Sequence, residues 1–442
     1  VAAIVGRCQM QQMMHRPCEL RQRRRPVEVG HERVDPARTQ GRGIVRVAYQ
    51  RGNGVTRLQP RQRAARDVAA THDQQSFHFA ILGNAAASGR PRPHYKMSYR
   101  VTIQPSGNSF TVEEDETVLH AALDDGFHLP YGCRNGACGS CKGKILAGEV
   151  EYGTYQNSAL SDEERAAGFA LFCVARPRSD LVIECREIGA VKDIPVRKLP
   201  CRVQKIDRVT DDVIVLHLAL PANERLQFLP GQYIEFILRD GSRRSFSMAN
   251  APHDDATLEL HIRHVPGGSF TDYVFNTMKE REILRFEGPL GSFFLREDSD
   301  KPVIFVASGT GFAPIKSILE AAFREGVQRD MVLYWGGRRP KDLYMAALAE
   351  QWAATHPNFR FVPIVSDALP EDNWQGRTGF VHRAVMEDHA DLSGYQVYAC
   401  GAPVMVEAAR HDFHHERGLP LEEFYADAFL TAADLAKGQH IG

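Results

Sequence analysis

The sequence predicts a multidomain protein that combines α+β and α/β architecture. Its 442 residues exceed what one ordinary hydrophobic core can organise. Short strand-like runs with turn residues between them, from about residue 200, predict a small antiparallel β-barrel. A later alternation of apolar strands and helices predicts a doubly wound parallel sheet. No run approaches the roughly 18 apolar residues of a membrane helix, so we expect no membrane insertion.

Charge divides the chain at residue 96. Residues 1–96 hold 18 Lys and Arg against 6 Asp and Glu, while the remainder holds 36 against 49. The first segment has no helical or strand period, so we expect a disordered basic extension. A nucleic-acid-binding arm is disfavoured by few aromatic residues, and a transit peptide by the six acids. We favour translation from too early a start, with the natural start at Met97.

From Met97 the pattern becomes regular, and we place the first domain at residues 97–190. The runs "SYRVTIQ" and "SFTVEE", joined by "PSGN", predict a β-hairpin. The following "ETVLHAALDDG" predicts a short helix that ends at a glycine. Further on, "LSDEERAAGF" places Ser161 and Glu164 in capping-box spacing before a second short helix.

Four cysteines stand out in this domain because three of them share one glycine-rich stretch, "YGCRNGACGSCKGKI". Their spacing is C-x4-C-x2-C with a distant fourth, which is the plant-type [2Fe–2S] pattern. The candidate ligands are Cys133, Cys138, Cys141 and Cys173. Structural zinc and buried inert cysteines remain alternatives, although zinc usually takes paired knuckles and the fourth cysteine stands alone.

The glycines of this stretch have a physical role in the prediction. A loop that wraps a cluster must turn its backbone N–H groups toward the sulfurs, often at positive φ, and glycine permits that. These glycines are Gly132, Gly136, Gly139 and Gly143. We expect Cys173 to lie in a strand-like run that closes over the cluster. Nine cysteines, an odd and low count, also indicate a reducing compartment, and we expect a cytoplasmic protein.

The second domain, residues 198–297, carries two segments that suit a flavin dinucleotide. In "RRSFSMAN", Arg244 can neutralise a pyrophosphate, Phe246 offers a flat face to the flavin, and Ser247 can reach its reactive edge. In "HVPGGSFTDYVF" the residues that would begin a helix aimed at the same pyrophosphate are Gly267, Gly268 and Thr271. Each feature alone has a plain structural explanation, and their combination predicts FAD.

The third domain, residues 298–442, begins with an apolar strand, a glycine turn and a helix. The strand covers 303–307, the turn is Gly309-Thr310-Gly311, and Pro314 lies in the first helical turn. The motif lacks the third glycine of G-x-G-x-x-G and is weak alone. The runs "DMVLYWGG", "FRFVPIV" and "YQVYACGAPVMVEAARHDF" complete the β/α alternation.

Taken in order, the four-cysteine pattern, "RSFS", "GTGFAP" and "YACGAP" resemble the iron–sulfur flavoprotein reductases of the ferredoxin–NADP reductase superfamily. The resemblance runs from about Met97 to the C-terminus. Within that group, "PYGCRNGACGSCKGKILAGEV", "PCRVQKI" and "FYADAFL" are most similar to CDP-6-deoxy-Δ3,4-glucoseen reductases. The resemblance implies a β-grasp [2Fe–2S] ferredoxin domain, an FAD-binding β-barrel and an NAD(P)H-binding domain.

The resemblance also implies roles for individual residues. Ser247 would lie near the flavin nitrogen that receives hydride, and Gly309, Thr310 and Gly311 would hold the nicotinamide cofactor's pyrophosphate. Cys400 would lie beside the nicotinamide. The remaining positions are Gly401 and Pro403, which would shape that turn, and Phe429, which would shield the flavin. NADH supplies two electrons, FAD stores and divides them, and the cluster accepts one at a time.

Cofactor and partner preferences follow less directly. The resemblance favours NADH, although Arg338 and Arg339 could hold a 2′-phosphate and Asp342 a ribose hydroxyl. The electron acceptor is expected to be a protein, either a pyridoxamine-phosphate-dependent dehydrase of deoxysugar synthesis or an oxygenase. A stand-alone electron carrier is disfavoured because the FAD and nucleotide motifs are complete. We expect no nucleic-acid and no membrane partner.

Overall fold

The computed structural model describes residues 97–189 and 193–430 and the backbone of 439–441. The disordered extension predicted for residues 1–96 lies outside the described residues, and the start at Met97 stays a prediction. In the described part, three large sheets follow one another along the chain, and two two-stranded sheets, β4-β7 and β5-β21, accompany them. None of the helices in this part is long and apolar enough to cross a membrane.

A five-stranded mixed sheet comes first, with the strand order β2-β1-β8-β3-β6. The predicted hairpin is present, because the first two strands pair antiparallel with Val101 opposite Phe110. The first strand also pairs in parallel with the eighth, which gives the β-grasp arrangement. The elements of this part are β1 (Ser98–Gln104), β2 (Ser109–Glu113), α1 (Val118–Asp124), β3 (Lys142–Ala147), β4 (Val150–Glu151), β5 (Thr154–Gln156), α2 (Asp162–Ala166), β6 (Phe169–Leu171), β7 (Arg176–Pro177) and β8 (Leu181–Glu184).

Local chemistry explains how these short elements begin. Val101 and Ile103 are buried at alternate positions of β1, so one face of the sheet packs against α1. The Thr117 side chain accepts from the His120 N–H and caps α1. The predicted capping box of Ser161 and Glu164 is present at the start of α2.

A six-stranded antiparallel sheet comes second, in the order β12-β11-β14-β9-β10-β13. A bridge between Met248 and Leu260 joins its two edges, which closes the predicted barrel. A core of aliphatic and phenylalanine side chains fills it. Its elements are β9 (Arg197–Arg208), β10 (Val213–Ala219), β11 (Tyr233–Ile237), β12 (Arg243–Ser247), β13 (Leu258–Arg263), α3 (Ser269–Asn276) and β14 (Ile283–Leu290).

The third sheet is wholly parallel, in the order β18-β17-β16-β15-β19-β20. Helices α4 and α5 pack on one face and α6 and α7 on the other, which confirms the doubly wound α/β prediction. The elements are β15 (Val303–Ser308), α4 (Phe312–Glu325), β16 (Met331–Gly337), α5 (Ala346–Thr355), β17 (Phe359–Val365), β18 (Arg377–Thr378), α6 (Val381–Asp388), β19 (Gln396–Gly401), α7 (Pro403–Arg417) and β20 (Phe424–Ala428). A last strand, β21 (Gln439–Ile441), pairs antiparallel with β5.

The strand order of the parallel sheet reverses between β15 and β19. After each of these two strands, the chain leaves the sheet at the edge formed by the carboxyl ends of the strands. A crevice at such a switch point is where open α/β sheets bind ligands. The turn after β15 is the single 3-10 turn Gly309–Gly311, and the turn after β19 contains Gly401. The fold therefore brings together the two glycine turns that the sequence singled out.

One local expectation is wrong. Cys173 was expected in a strand-like run, but β6 ends at Leu171 and Cys173 lies in the following turn. The N–H groups of Val174 and Ala175 both donate to the Leu171 carbonyl, so the backbone curls at this point. An extended strand would carry the sulfur past the cysteine loop, whereas the turn brings it to Cys141.

Candidate active site

The four predicted cluster ligands lie together, on the loop before β3 and on the turn after β6. They form two contacting pairs of thiols, Cys133 with Cys138 and Cys141 with Cys173. The contacts with Cys133 and Ser140 lower the pKa of Cys138 to about 5, against the opposing effect of burial. Its sulfur also accepts the Cys133 N–H at 3.4 Å. The loop thus favours a thiolate at this position.

The arrangement of the sulfurs distinguishes between the metals that the sequence left open. Four cysteines around one zinc ion place their sulfurs about 3.8 Å apart, since each Zn–S bond is about 2.3 Å. No three of these four sulfur atoms all lie within 4.8 Å of one another. Two separate pairs suit two iron atoms instead, with two cysteines on each. The residues present therefore fit a [2Fe–2S] cluster better than zinc.

Two of the four loop glycines have the positive φ that the prediction required. Gly136 has φ of 78° and Gly139 of 76°. Gly132 and Gly143 instead allow neighbouring side chains to pack closely against the backbone. A Cβ at Gly143 would lie 2.2 Å from the Phe172 ring. Arg134 also has positive φ, at 58°, although no sequence motif marked it. Its side chain is held by a partner on the barrel.

That partner is Glu235 of β11. The Arg134 Nη2 donates to Glu235 Oε2 at 2.6 Å, and Arg243 donates to the same oxygen at 2.7 Å. Only 11% of the Glu235 side chain is exposed, so the charge is largely desolvated and its pairing matters. Nearby, the Tyr233 hydroxyl donates to the Gly132 carbonyl at 2.8 Å. The cysteine loop is therefore docked on the barrel.

The same loop also contacts the parallel-sheet part of the protein. The Ser140 hydroxyl donates to the Ala426 carbonyl of β20 at 2.8 Å. Arg410 of α7 donates to the Cys138 carbonyl at 3.1 Å. The Cys138 side chain packs into the core on that face of the parallel sheet. The cysteine loop therefore lies between the barrel and the parallel sheet and contacts both.

The predicted pyrophosphate residues come together at the start of α3. Gly267 has φ of 78°, and Gly268 occupies the N-cap position. The Thr271 hydroxyl accepts the Val265 N–H at 3.1 Å, which holds the preceding loop against the helix. Arg244 Nη2 lies 3.5 Å from the Ser269 hydroxyl. A guanidinium beside free helix N–H groups is an arrangement that suits a phosphate.

The two residues of β12 that were predicted to face the flavin have different surroundings. Phe246 packs its ring against Phe236 and Phe270, with centroids 5.9 and 5.5 Å away. Ser247 is buried, and its hydroxyl donates to Asp427 Oδ2 at 3.4 Å. Burial raises the pKa of Asp427 to about 7, helped by the neighbouring Cys138. No sequence motif assigned a role to Asp427, which lies 180 residues away in "FYADAFL".

The two glycine turns predicted to hold the nucleotide meet at the switch point. A Cβ on Gly311 would lie 2.1 Å from the Cys400 carbonyl oxygen, so glycine is required there by close approach. The Ala402 N–H, just before Pro403, donates to the Ser308 hydroxyl at 2.9 Å. The Phe429 N–H donates to the Gly401 carbonyl at 2.8 Å, which places Phe429 at the same turn.

Cys400 is fully buried, and burial raises the pKa of its thiol. It lies directly opposite Asp427 in the register of β19 and β20. Because Asp427 also accepts from Ser247, the carboxyl links the two residues to which the resemblance assigns the hydride-transfer site. The structure thus brings Ser247 and Cys400 to one place through a residue that neither motif contains.

A second missed residue is Arg263, at the end of β13. Its Nε and Nη2 both donate to Asp212 Oδ2, at 3.0 and 2.9 Å. Its Nη1 points the other way, so close to the glycine turn that a Cβ on Gly309 would lie 2.7 Å from it. No local sequence signal marks Arg263, because Arg263 and Gly309 belong to different domains. A cation beside Gly309-Thr310-Gly311 suits the pyrophosphate of a dinucleotide.

The residues considered for the ribose have other partners. The Asp342 carboxylate accepts the Arg338 N–H at 2.8 Å and the Arg339 N–H at 3.1 Å, and it is buried. Arg339 is ion-paired with Asp372. Only Arg338 extends into solvent, with 72% of its side chain exposed. Asp342 therefore closes its own turn, and its carboxylate is already engaged by two backbone N–H groups.

Comparison with known proteins agrees with this geometry. Three family descriptions match successive parts of the chain: a 2Fe-2S iron-sulfur cluster binding domain at residues 101–178, an oxidoreductase FAD-binding domain at 200–295 and an oxidoreductase NAD-binding domain at 305–411. The fold and the site define an electron-transfer reductase with an iron–sulfur cluster, FAD and a nicotinamide dinucleotide as cofactors.

Individual relatives extend over all three parts. The CDP-6-deoxy-L-threo-D-glycero-4-hexulose-3-dehydrase reductase of Yersinia pseudotuberculosis is 42% identical over 76% of this chain and 100% of its own length. Reductase component 1 of terephthalate 1,2-dioxygenase from Comamonas is 36% identical over 76% and 98%. The crystal structure of an Amycolatopsis cytochrome P450 reductase matches with TM-score 0.61 and 35% identity, over 76% and 99%. The chain belongs to the iron–sulfur flavoprotein reductases of the ferredoxin–NADP reductase superfamily, which pass electrons to a partner protein.

Proposed function

We propose that this reductase oxidises NADH and delivers electrons singly to a pyridoxamine-phosphate-dependent dehydrase of deoxysugar synthesis, in the manner of a CDP-6-deoxy-Δ3,4-glucoseen reductase. The observation that carries the electron path is the position of the cysteine loop, which contacts the barrel through Tyr233 and the parallel sheet through Ser140. The similarity to the Yersinia dehydrase reductase along its whole length supports the choice of partner. We propose domain limits of 97–190, 198–297 and 298–442 and a cytoplasmic location, where thiols stay reduced.

When all three cofactors are bound, they convert the two-electron hydride transfer from NADH into the transfer of single electrons. The chain's own residues bind and position them. Arg244 and the N-terminus of α3 would hold the FAD pyrophosphate, and Phe246 and Phe429 would face its ring system. Ser247 would orient the reactive edge while Asp427 fixes the serine hydroxyl.

The nucleotide would lie across the switch point. Gly309, Thr310 and Gly311 form the turn at the start of α4, and the N-terminus of a helix favours a pyrophosphate. The turn of Cys400, Gly401 and Pro403 would receive the nicotinamide. Four cysteine thiolates, Cys133, Cys138, Cys141 and Cys173, would hold the cluster. Their burial and the N–H donor to Cys138 would tune it.

The choice of NADH over NADPH rests on the arginines after β16. A 2′-phosphate needs a cation that can turn toward it. Arg339 is committed to Asp372 by two hydrogen bonds, of 2.5 and 2.8 Å. Arg338 is 72% exposed, but its Nε also lies 3.8 Å from the Asp342 carboxylate, and one such arginine makes a poor phosphate clamp. We therefore propose a preference for NADH.

A second candidate is the reductase component of a multicomponent oxygenase. Its support is the 36% identity to the terephthalate 1,2-dioxygenase reductase over nearly the whole of that protein. A dehydrase and an oxygenase would both receive electrons from the same series of cofactors in this protein. The cofactor sites would therefore be the same for both candidate functions. The difference lies in the partner alone, so only an assay with partners can separate them.

The first experiment is an anaerobic NADH titration of the full chain, followed by absorbance and electron paramagnetic resonance. We expect the flavin to bleach and a reduced [2Fe–2S] signal to appear. Cys138→Ser should abolish that signal and leave flavin bleaching intact. Cys185→Ser is the matched control, because Cys185 is buried in the same domain but lies outside the two thiol pairs. Bleaching without a cluster signal in the wild type would contradict the cysteine assignment.

The second experiment identifies the partner. The reduced protein is mixed with a pyridoxamine-phosphate dehydrase carrying its dehydrated sugar intermediate, and separately with an aromatic-ring dioxygenase. We expect rapid cluster reoxidation and formation of the deoxysugar product with the dehydrase only. Faster reoxidation by the dioxygenase, with hydroxylated product, would establish the second candidate instead.

A further inference from the structure

Arg410 is a charged residue to which no sequence motif assigned a role, although it lies in the run that forms β19 and α7. It lies on α7, the helix that begins at Pro403, yet its guanidinium reaches the cysteine loop. Its Nη2 donates to the Cys138 carbonyl at 3.1 Å. Its Nη1 is packed against Gly139, where a Cβ would lie only 2.4 Å from it. The ring of Phe424 lies on another side, with its centroid 5.5 Å from the guanidinium carbon.

These contacts leave the positive charge without a carboxylate partner. Within the described residues Arg410 makes no ion pair, and the carboxylates of Glu164 and Glu407 act on it only at longer range. Burial lowers the pKa of Arg410, and the thiols of Cys138 and Cys141 are among the groups that oppose this effect. A desolvated guanidinium is costly unless an opposite charge lies close. Among the acidic groups around Arg410, the Cys138 thiol opposes the effect of burial most strongly.

We propose that Arg410 is a positioning residue that raises the reduction potential of the cluster. The inference rests on the proposed assignment of the four cysteines as cluster ligands. An oxidised [2Fe–2S] cluster with four thiolates is a dianion, and it becomes a trianion when it takes up one electron. A fixed positive charge stabilises the trianion more than the dianion, and low surrounding polarity strengthens that difference.

The charge comes from the part of the protein that holds the nucleotide. Helix α7 starts directly after the turn of Gly401, and two turns further it presents Arg410 to Cys138. The potential of the cluster therefore depends on the parallel-sheet domain remaining docked. Electrons pass more readily to the cluster in the docked arrangement than they would if the cysteine loop moved away.

The test compares midpoint potentials, measured by dithionite titration with electron paramagnetic resonance. Arg410→Gln keeps a donor for the Cys138 carbonyl and removes the charge. Arg410→Lys keeps the charge and loses the planar fork. Arg417→Gln is the control on the same helix, since Arg417 donates to the Met386 carbonyl and not to the cysteine loop. Iron and acid-labile sulfide are counted first in each protein.

We expect Arg410→Gln to shift the one-electron equilibrium at least tenfold toward the oxidised cluster, which is a fall of about 59 mV. Arg410→Lys and Arg417→Gln should stay close to the wild type. An unchanged potential in a fully loaded Arg410→Gln protein would overturn the proposal. If Arg410→Gln does not hold a cluster, the midpoint potential of Arg410→Lys decides the question. A fall of about 59 mV in Arg410→Lys, which keeps the positive charge, would show that the charge does not set the potential. A wild type without any cluster would instead overturn the ligand assignment.

Discussion

The Ser247 hydroxyl donates a hydrogen bond to the Asp427 carboxyl at 3.4 Å, although 180 residues separate the two in the chain. Asp427 is buried and lies opposite Cys400 in the parallel register of β19 and β20. One carboxyl thus connects the barrel to the edge of the parallel sheet where the nucleotide turn lies. Its protonation is the most direct way in which pH can act on this site.

We expect Asp427 to make the protein less stable as pH rises. Burial raises its pKa in the folded state to about 7, from 3.8 in a free aspartate. The folded state therefore binds the proton more tightly, so the stabilisation is complete below about pH 4 and is lost as pH rises through 7. The slope is at most about 1.4 kcal/mol per pH unit. Urea unfolding of wild type and Asp427→Asn between pH 5.5 and 8 isolates this contribution.

The difference in the free energy of unfolding between wild type and Asp427→Asn reports on Asp427, because the asparagine variant retains every other titrating group. Wild type should lose stability relative to Asp427→Asn up to about pH 7 and no further above it. A difference that does not change with pH would show that Asp427 is already ionised at pH 5.5. Ser247→Ala removes the hydrogen bond that favours the carboxylate, and it should extend the loss to higher pH.

The docking of the cysteine loop on the barrel is expected to depend on Glu235. Glu235→Gln would leave Arg134 partly buried without its carboxylate, which costs about 2 kcal/mol or more of docking free energy. We expect the flavin to bleach at the normal rate and the cluster to be reduced more slowly. Stopped-flow absorbance after mixing with NADH separates the two steps.

The matched control is the exposed ion pair of Arg186 and Asp298, which joins the first domain to the start of the third. Both of its side chains are more than half exposed, at 55% and 65%, so its contribution should be below about 1 kcal/mol. Asp298→Asn should therefore leave cluster reduction unchanged. Equal slowing in both variants would mean that net charge, rather than the buried pair, governs docking.

The order and type of the three domains could be predicted from the sequence because local signals specify them. The hairpin before the cysteine loop, the short strands of the barrel and the strand–turn–helix unit at Gly309 each depend on residues close together in the chain. The [2Fe–2S] pattern likewise lies within one loop apart from Cys173. The turn at Cys173 was missed because its apolar neighbours have the composition of a strand, while hydrogen bonds to Leu171 curl the backbone.

The missed site residues have a different cause. Asp427, Arg263 and Arg410 each act on a group that belongs to another domain, so no local periodicity or motif revealed these roles, although Asp427 and Arg410 lie in runs that the sequence singled out. An arginine at a strand end and an aspartate in an apolar run are ordinary in isolation. Their roles follow only from how the barrel, the parallel sheet and the cysteine loop are packed together, which the sequence alone did not reveal.

Close approach at the nucleotide turn should make Gly311 intolerant of substitution. In Gly311→Ala the new methyl group would overlap the Cys400 carbonyl, which belongs to the backbone and cannot turn aside. We expect a loss of about 2 kcal/mol in stability and weaker nucleotide binding. Thermal unfolding and NADH titration of flavin bleaching measure the two effects. Gly394→Ala is the control, since a Cβ there meets nothing within 4 Å and should change neither.

Arg263 is expected to bind the nucleotide from the barrel side. Its Nε and Nη2 are held by Asp212, which leaves Nη1 directed at the turn of Gly309. A charge-assisted hydrogen bond to a pyrophosphate contributes about 1.5 to 3 kcal/mol, so Arg263→Met should raise the KM for NADH about tenfold or more. The maximal rate of flavin reduction should fall little, because the pyrophosphate contact is present before and during hydride transfer.

Arg208→Met is the matched control, since Arg208 lies on the same barrel and stacks on Phe275 away from the turn. Asp212→Asn provides a second variant, because it frees the Arg263 side chain without removing its charge. We expect an intermediate rise in KM from the lost orientation of the guanidinium. If Arg263→Met lowers the maximal rate and leaves KM unchanged, Arg263 acts on the reaction rather than on nucleotide binding, and the pyrophosphate assignment is wrong.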